Sequence, residues 1–274
     1  MNFKSKNFRQ SGRVLDFLMD QKEIMIGLQS YPIEIDYEWD WQKDSKVSQL
    51  LVAEWNLLNE LALKVLSNDS ESLLVIGGGG STFFQEFNFN SHLRELVILN
   101  PTMNELTSTP LDVWPEEKLT LVRAIAEQNP IESESVDNVL ISSTIDHVCS
   151  PTDSVKEVFR TLKPGGTVVI TLGNSASWYR NLISFFRIPI AEDHAHNFHF
   201  DASEIRTLLN SNNFVEIEHK TSAYLRIPRR LERILDYRFI TKTLMLISNS
   251  ILPIIFGKNS GGMLIVWARK PFQI

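Results

Sequence analysis

Along this chain, apolar residues fall into short blocks bounded by glycine or polar turns, and the segments between the blocks repeat at a helical period. Leu73 to Ile76 run unbroken into Gly77, Gly78, Gly79 and Gly80, and then into Ser81. An apolar run this short, without polar alternation, predicts a strand buried on both faces. Similar blocks recur at residues 95–100, 119–123, 136–142, 167–172, 215–220 and 261–270.

The intervening segments read as helices. Val47, Leu50, Leu51, Trp55, Leu58, Ala62 and Val65 share one helical face behind a cap at Asp44 or Ser45. A second helix starts at Thr152 or Asp153 and carries Val155, Val158, Phe159 and Leu162. It ends at Lys163-Pro164-Gly165-Gly166, where proline and glycine turn the chain into the next strand. A third runs from Asp201 to Asn213, whose tolerance of left-handed φ suits a stop.

Strands alternating with helices predict an α/β fold with a doubly wound, mainly parallel, seven-stranded sheet, N-terminal helices and a C-terminal helical addition. Ligands of such sheets sit beyond the carboxyl ends of the strands, at the switch point. The expected division is an N-terminal arm over 1–44 and one domain over 45–274, with insertions at 173–200 and 225–258 forming an acceptor cap. The arm holds the aromatic cluster Tyr31, Tyr37, Trp39 and Trp41, read as packing on the core or capping a pocket.

Composition narrows the function. A net charge of -6 over 274 residues argues against a general nucleic-acid binder, which needs a basic footprint. Cys149 is the only cysteine, so no intrachain disulfide and no cysteine zinc site form, as in a reducing compartment. The N-terminal segment lacks the apolar core of a signal peptide, and a cytoplasmic location is expected. The apolar stretch 243–257 contains Ser248, Asn249, Ser250 and Pro253. It is shorter than the roughly 20 apolar residues a span requires, and predicts a core helix ahead of a lipid or partner surface. Arg229, Arg230, Arg233 and Arg238 lie opposite Leu231, Ile234 and Leu235 on a basic amphipathic segment, read as a solvated face or an anionic-surface contact.

Three segments carry a family resemblance: LLVIGGGGS at 73–81, AEQNPIESESVDNV at 126–139 and EVFRTLKPGGTVVIT at 157–171. In this order and spacing they resemble the class I S-adenosylmethionine-dependent methyltransferases, type 11-like, over about residues 45 to 220. The resemblance implies S-adenosylmethionine as cofactor. It sets Gly77, Gly78 and Gly79 against the methionine part, Asn100 and Pro101 at the ribose, and Ile125, Ala126 and Glu127 at the adenine. Ser143 falls toward the sulfonium end. The pattern departs from the family at Val75, Asn100 and Ile125, where acidic residues are usual, and at Ser81, where a glycine is. Asn100 still hydrogen-bonds a diol but lacks the charge, a difference of about 1 kcal/mol.

The resemblance implies methyl transfer to a small molecule or biosynthetic intermediate. The alternative is a methyltransferase-fold protein without transfer activity, serving as a binding or assembly subunit; a homodimer or a partner protein fits either. Beyond the fourth strand, His147 beside Asp146 reads as a catalytic base with its orienting acid, or as a turn residue capping the next helix. His194, His196 and His199 read as a plain loop, as an acceptor-pocket lining or as metal ligands, and no metal site is assigned from them. Trp178 and Tyr179 wall the acceptor pocket or anchor the insertion.

Overall fold

The computed structural model describes residues 2–4, 8–18, 57–58, 60–66, 70–77, 93–102, 106, 116–186, 196–225 and 243–272. Gly78, Gly79, Ser81, His194, the aromatic cluster at 31–41 and the basic segment 226–242 lie outside the described residues.

The strands are β1 (Arg9–Ser11), β2 (Val14–Asp16), β3 (Ser72–Gly77), β4 (Glu95–Leu99), β5 (Leu119–Arg123), β6 (Val136–Ser142), β7 (Leu162–Gly173), β8 (Val215–Ser222) and β9 (Met263–Arg269). They form one sheet in the order β1-β2-β5-β4-β3-β6-β7-β9-β8. The five strands from β5 to β7 are parallel, and β9 inserts antiparallel between β7 and β8. The seven expected strands are therefore present. Two short ones, β1 and β2, join the β5 edge from within residues 9–16, a pairing that the apolar pattern did not announce.

Burial on both faces explains the unbroken apolar runs. Leu74 and Ile76 enter one core with Val97, Leu99, Val139, Ile141, Val168 and Ile170. Leu73 and Val75 enter the other, with Leu96, Ile98, Leu140 and Val169. Successive side chains of a strand alternate in direction, so each block supplies both layers.

Helix α1 (Pro151–Thr161) begins with Ser150, whose hydroxyl accepts from the Asp153 amide at 3.3 Å, and with proline in the first turn. It buries Val155 and Val158 and passes directly into β7. Lys163-Pro164-Gly165-Gly166, expected as a turn before the strand, instead forms the irregular start of β7. Gly165 takes φ +81°, its amide donates to the Lys270 carbonyl at 2.9 Å, and the Lys270 amide donates to Gly166 at 2.9 Å. Helix α2 (Trp178–Phe185) follows β7, and α3 (Ala202–Ser211) opens on a capping box between Asp201 and Glu204. Asn213 carries the expected left-handed φ, +65°.

The apolar stretch 243–257 corrects an expectation. It forms a π-helical turn (Ile247–Ile251) and a short helix, α4 (Leu252–Phe256), with Ile254 83% and Ile255 64% exposed, so it is a surface element rather than core. Among the described residues no helix is long and apolar enough to cross a membrane.

Candidate functional site

The chain leaves β3 toward β4 on one side and enters β6 and β7 on the other, which opens the switch-point crevice at the carboxyl ends of β3 and β6. Gly77 ends β3 at φ +77°, a conformation that glycine adopts without strain. A Cβ there would collide with the Thr144 hydroxyl, which donates to the Ser142 carbonyl at 2.7 Å. Thr144 thus closes against the bare glycine backbone. Ser143 beside it holds φ +47°, with its amide tied to the Thr171 carbonyl at 2.8 Å and its buried hydroxyl without a hydrogen-bond partner. A serine held in left-handed backbone at a strand end is the strain that accumulates at functional sites.

On the other flank, buried Asn100 receives the Thr102 amide on Oδ1 at 2.8 Å. The Pro101 carbonyl accepts from Arg123 Nε at 3.1 Å, and Arg123 pairs with Asp16 of β2 at 3.2 Å. The added N-terminal strand therefore braces the end of β4. Ile125 and Ala126 are buried and apolar. Glu127, the acid expected at the adenine, accepts the amides of Cys149 and Ser150 on Oε1 at 2.7 and 3.1 Å, at the start of α1. Its Oε2 is buried and has no hydrogen-bond partner. Sequence reasoning misses this second role: it sets the helix start at Thr152 or Asp153, whereas the cap is Ser150, whose amide is one of the two that Glu127 accepts.

The acceptor side is built from two distant segments. Asp146, buried in the turn after β6, has its carbonyl bonded by the Asn197 and Phe198 amides at 2.9 and 3.1 Å. The Asn197 side chain donates to the His147 carbonyl at 2.8 Å. This clasp brings His196 Nδ1 to 3.1 Å from Asp146 Oδ2, while His147 Nε2 stands 4.0 Å from Oδ1. The two imidazoles face each other with centroids 4.4 Å apart. Burial alone raises the Asp146 pKa, but the His196 contact and the charge of His147 outweigh it and hold the group below its ordinary value.

The remaining candidates sit apart from this cluster. The exposed His199 ring lies 6.0 Å from that of His196, on its rim. The Trp178 indole donates to the Tyr224 carbonyl at 2.7 Å and stacks on Phe256 at 4.3 Å. Tyr179 packs against Gly262, where a Cβ would meet its ring at 2.7 Å. In the structure both aromatics join α2 to the C-terminal elements.

Residues 74–170 match the family model described as a methyltransferase domain. Solved structures share the fold. A Thermotoga maritima S-adenosylmethionine-dependent methyltransferase, a possible histamine N-methyltransferase, superposes with a TM-score of 0.55 at 16% identity, covering 81% of this chain and 91% of that one. A putative methyltransferase in complex with the Haloferax volcanii Trm112 activator gives 0.57 at 17%, covering 81% and 92%. Haemonchus contortus phosphoethanolamine N-methyltransferase 2, with phosphomonomethylethanolamine and S-adenosylhomocysteine, gives 0.55 at 17%, covering 82% and 57%. No curated protein sequence matches this chain.

Proposed function

We propose that this chain, a class I S-adenosylmethionine-dependent methyltransferase by its matched domain and its fold, transfers a methyl group to a small-molecule acceptor bound beside the Asp146, His147 and His196 cluster. The observation that carries the reading is the glycine end of β3, where Thr144 closes against Gly77 at the switch point; two buried polar atoms of the neighbouring loops, Ser143 Oγ and Glu127 Oε2, have no hydrogen-bond partner. Buried polar atoms are rarely left unpaired without a purpose. A hydroxyl donor-acceptor and a carboxylate acceptor suit the amine and hydroxyl groups of the cofactor.

In this reading Gly77 lets the backbone approach the methionine end, to which the resemblance also assigns Gly78 and Gly79. Asn100 and Pro101 meet the ribose, Ile125 and Ala126 pack on the adenine, and Glu127 and Ser143 supply the acceptors. The cofactor, when bound, supplies an activated methyl on a sulfonium sulfur. The protein's contribution is alignment and exclusion of water, and a base is needed only where the acceptor must lose a proton. In the metal-free protein His147 takes that proton, and the Asp146 carboxylate stabilises the resulting imidazolium. His196 and His199 border the acceptor, while Trp178 and Tyr179 support its far wall.

The test is calorimetric titration with S-adenosylmethionine and S-adenosylhomocysteine, expected to give one site per chain. Absence of binding at millimolar ligand would sink the reading. A second reading, a binding or assembly subunit without turnover, is favoured by one observation: Asn100 Oδ1 and Glu127 Oε1 are already engaged by the chain's own amides. It predicts that Asn100→Asp creates no activity in a screen of acceptors in which the wild-type protein is inactive.

A further inference from the structure

The geometry points to a mononuclear site for a divalent transition-metal ion, of the zinc class, formed by Asp146, His147 and His196. Among the described residues these are the three side chains whose ligand atoms, one carboxylate oxygen and two imidazole nitrogens, all lie within 4.8 Å of one another. An ion bound at about 2.0–2.1 Å by each ligand in tetrahedral geometry sets its ligands roughly 3.3 Å apart. His196 Nδ1 stands 3.1 Å from Asp146 Oδ2 and His147 Nε2 4.0 Å from Oδ1, so each imidazole already has a carboxylate oxygen within about 1 Å of that separation. Asp146 is 5% exposed, and its Oδ1, on the side of His147, has no hydrogen-bond partner. A buried carboxylate oxygen left in that state is costly, and a cation between the rings removes the cost.

The donor set selects the kind of ion. Two imidazoles with one carboxylate favour zinc, nickel or iron over magnesium and calcium, which take oxygen ligands. Three protein ligands leave a fourth position open, the pattern of sites that act on a ligand rather than sites that only hold the fold. The supporting bonds are present: the Asn197 and Phe198 amides fix the Asp146 backbone, and the Asn197 carboxamide fixes that of His147. Resting on the methyl-transfer reading, the open position suits an acceptor hydroxyl. The ion would lower that hydroxyl's pKa, with its proton passing to solvent, the methyl carbon bonding to oxygen and the carbon–sulfur electron pair going to sulfur. His147 then serves as a ligand, and the loss of its base role is offset by the ion.

Metal content of the full chain, purified without chelator, is measured by elemental analysis; the chelator-treated protein is then titrated with zinc and with cobalt(II), read by visible absorption. The expected result is about one ion per chain, a tetrahedral cobalt spectrum, and affinity at least about 100-fold weaker in Asp146→Asn and in His196→Ala. No binding by the wild type at 100-fold excess zinc over protein would overturn the proposal. So would unchanged affinity in both variants, which would move the ion elsewhere. Circular dichroism and S-adenosylhomocysteine titration of each variant report on the fold and on the cofactor site separately. A protein that binds the cofactor product but not the metal loses only this inference; one that binds metal but no cofactor product loses only the methyl-transfer reading.

Discussion

His196 Nδ1 lies 3.1 Å from Asp146 Oδ2, so the turn after β6 and the segment before α3 form one site although the sequence keeps them far apart. The contact depends on Asn197, whose side chain and amide both bond to the turn. Asn197→Ala removes the side-chain bond and alters none of the three clustered side chains themselves. Turnover is expected to fall about tenfold to a hundredfold through misplacement of His196, with S-adenosylhomocysteine affinity unchanged. Steady-state kinetics beside calorimetry separates the two; equal losses in both would rule out a positioning role.

Gly77→Ala forces a Cβ into the Thr144 hydroxyl at a φ of +77°. The strained backbone and the collision together should lower stability by about 2 kcal/mol or more. Gly77→Ala combined with Thr144→Ala removes the clash with the hydroxyl but keeps the 2.8 Å approach of the residue-144 Cβ and the positive φ, so part of the loss should persist in urea denaturation.

Asn100→Asp keeps an acceptor for the Thr102 amide and adds a charge at the carboxyl end of β4. Product affinity should improve about fivefold, the equivalent of about 1 kcal/mol, if the residue meets a diol. Calorimetry showing no gain would remove Asn100 from the ribose assignment.

Asp137 links three segments: its carboxylate accepts the Glu71 and Ser72 amides at 3.1 and 2.9 Å and pairs with Lys163 at 2.7 Å. Burial raises its pKa, and the Lys163 and Ser72 contacts overcome that, leaving it lowered. A carboxyl with a depressed folded pKa contributes stability above its unfolded value, near pH 4, and loses it as pH falls through the folded pKa. Asp137→Asn should therefore cost about 1 kcal/mol at pH 7 and progressively less below pH 4, measured by denaturant midpoints across that range.

Burial, with the Glu127 carboxylate as the second cause, pushes the Cys149 thiol up to about 11. At pH 8 only about one thiol in a thousand is ionised, and alkylation should run far slower than for free cysteine. Glu127→Gln should speed it several-fold. A wild-type rate equal to that of free cysteine would contradict the assignment.

The sheet was legible because Leu73 to Ile76 and Val139 to Ile141 are buried on both faces, and such runs leave little else for the chain to form. Strands β1 and β2 were not, since Arg9–Ser11 is exposed with no apolar residue and Val14–Asp16 is too short a block to show a period. The Lys163 to Gly166 turn was misread because its strand character comes from Lys270, a partner that local pattern does not reveal. Asp146 and His147 could be singled out from the resemblance, and His196 from its histidine-rich segment. Their meeting was not legible, because a clasp by backbone amides leaves no signature in side-chain order. Glu127 showed only the role its alignment implied, while the structure gives one of its oxygens to the start of α1.

Strand β9 enters between two strands that precede it in the chain, and among the described residues β8 has no sheet neighbour other than β9. During synthesis the open edge of β7 must wait, unpaired, while the residues between Gly173 and Met263 emerge, and β8 waits with it. Bare edges of this kind are where nascent chains pair with each other. The interval in which β7 lies open therefore ends only when Met263–Arg269 is available to pair with it.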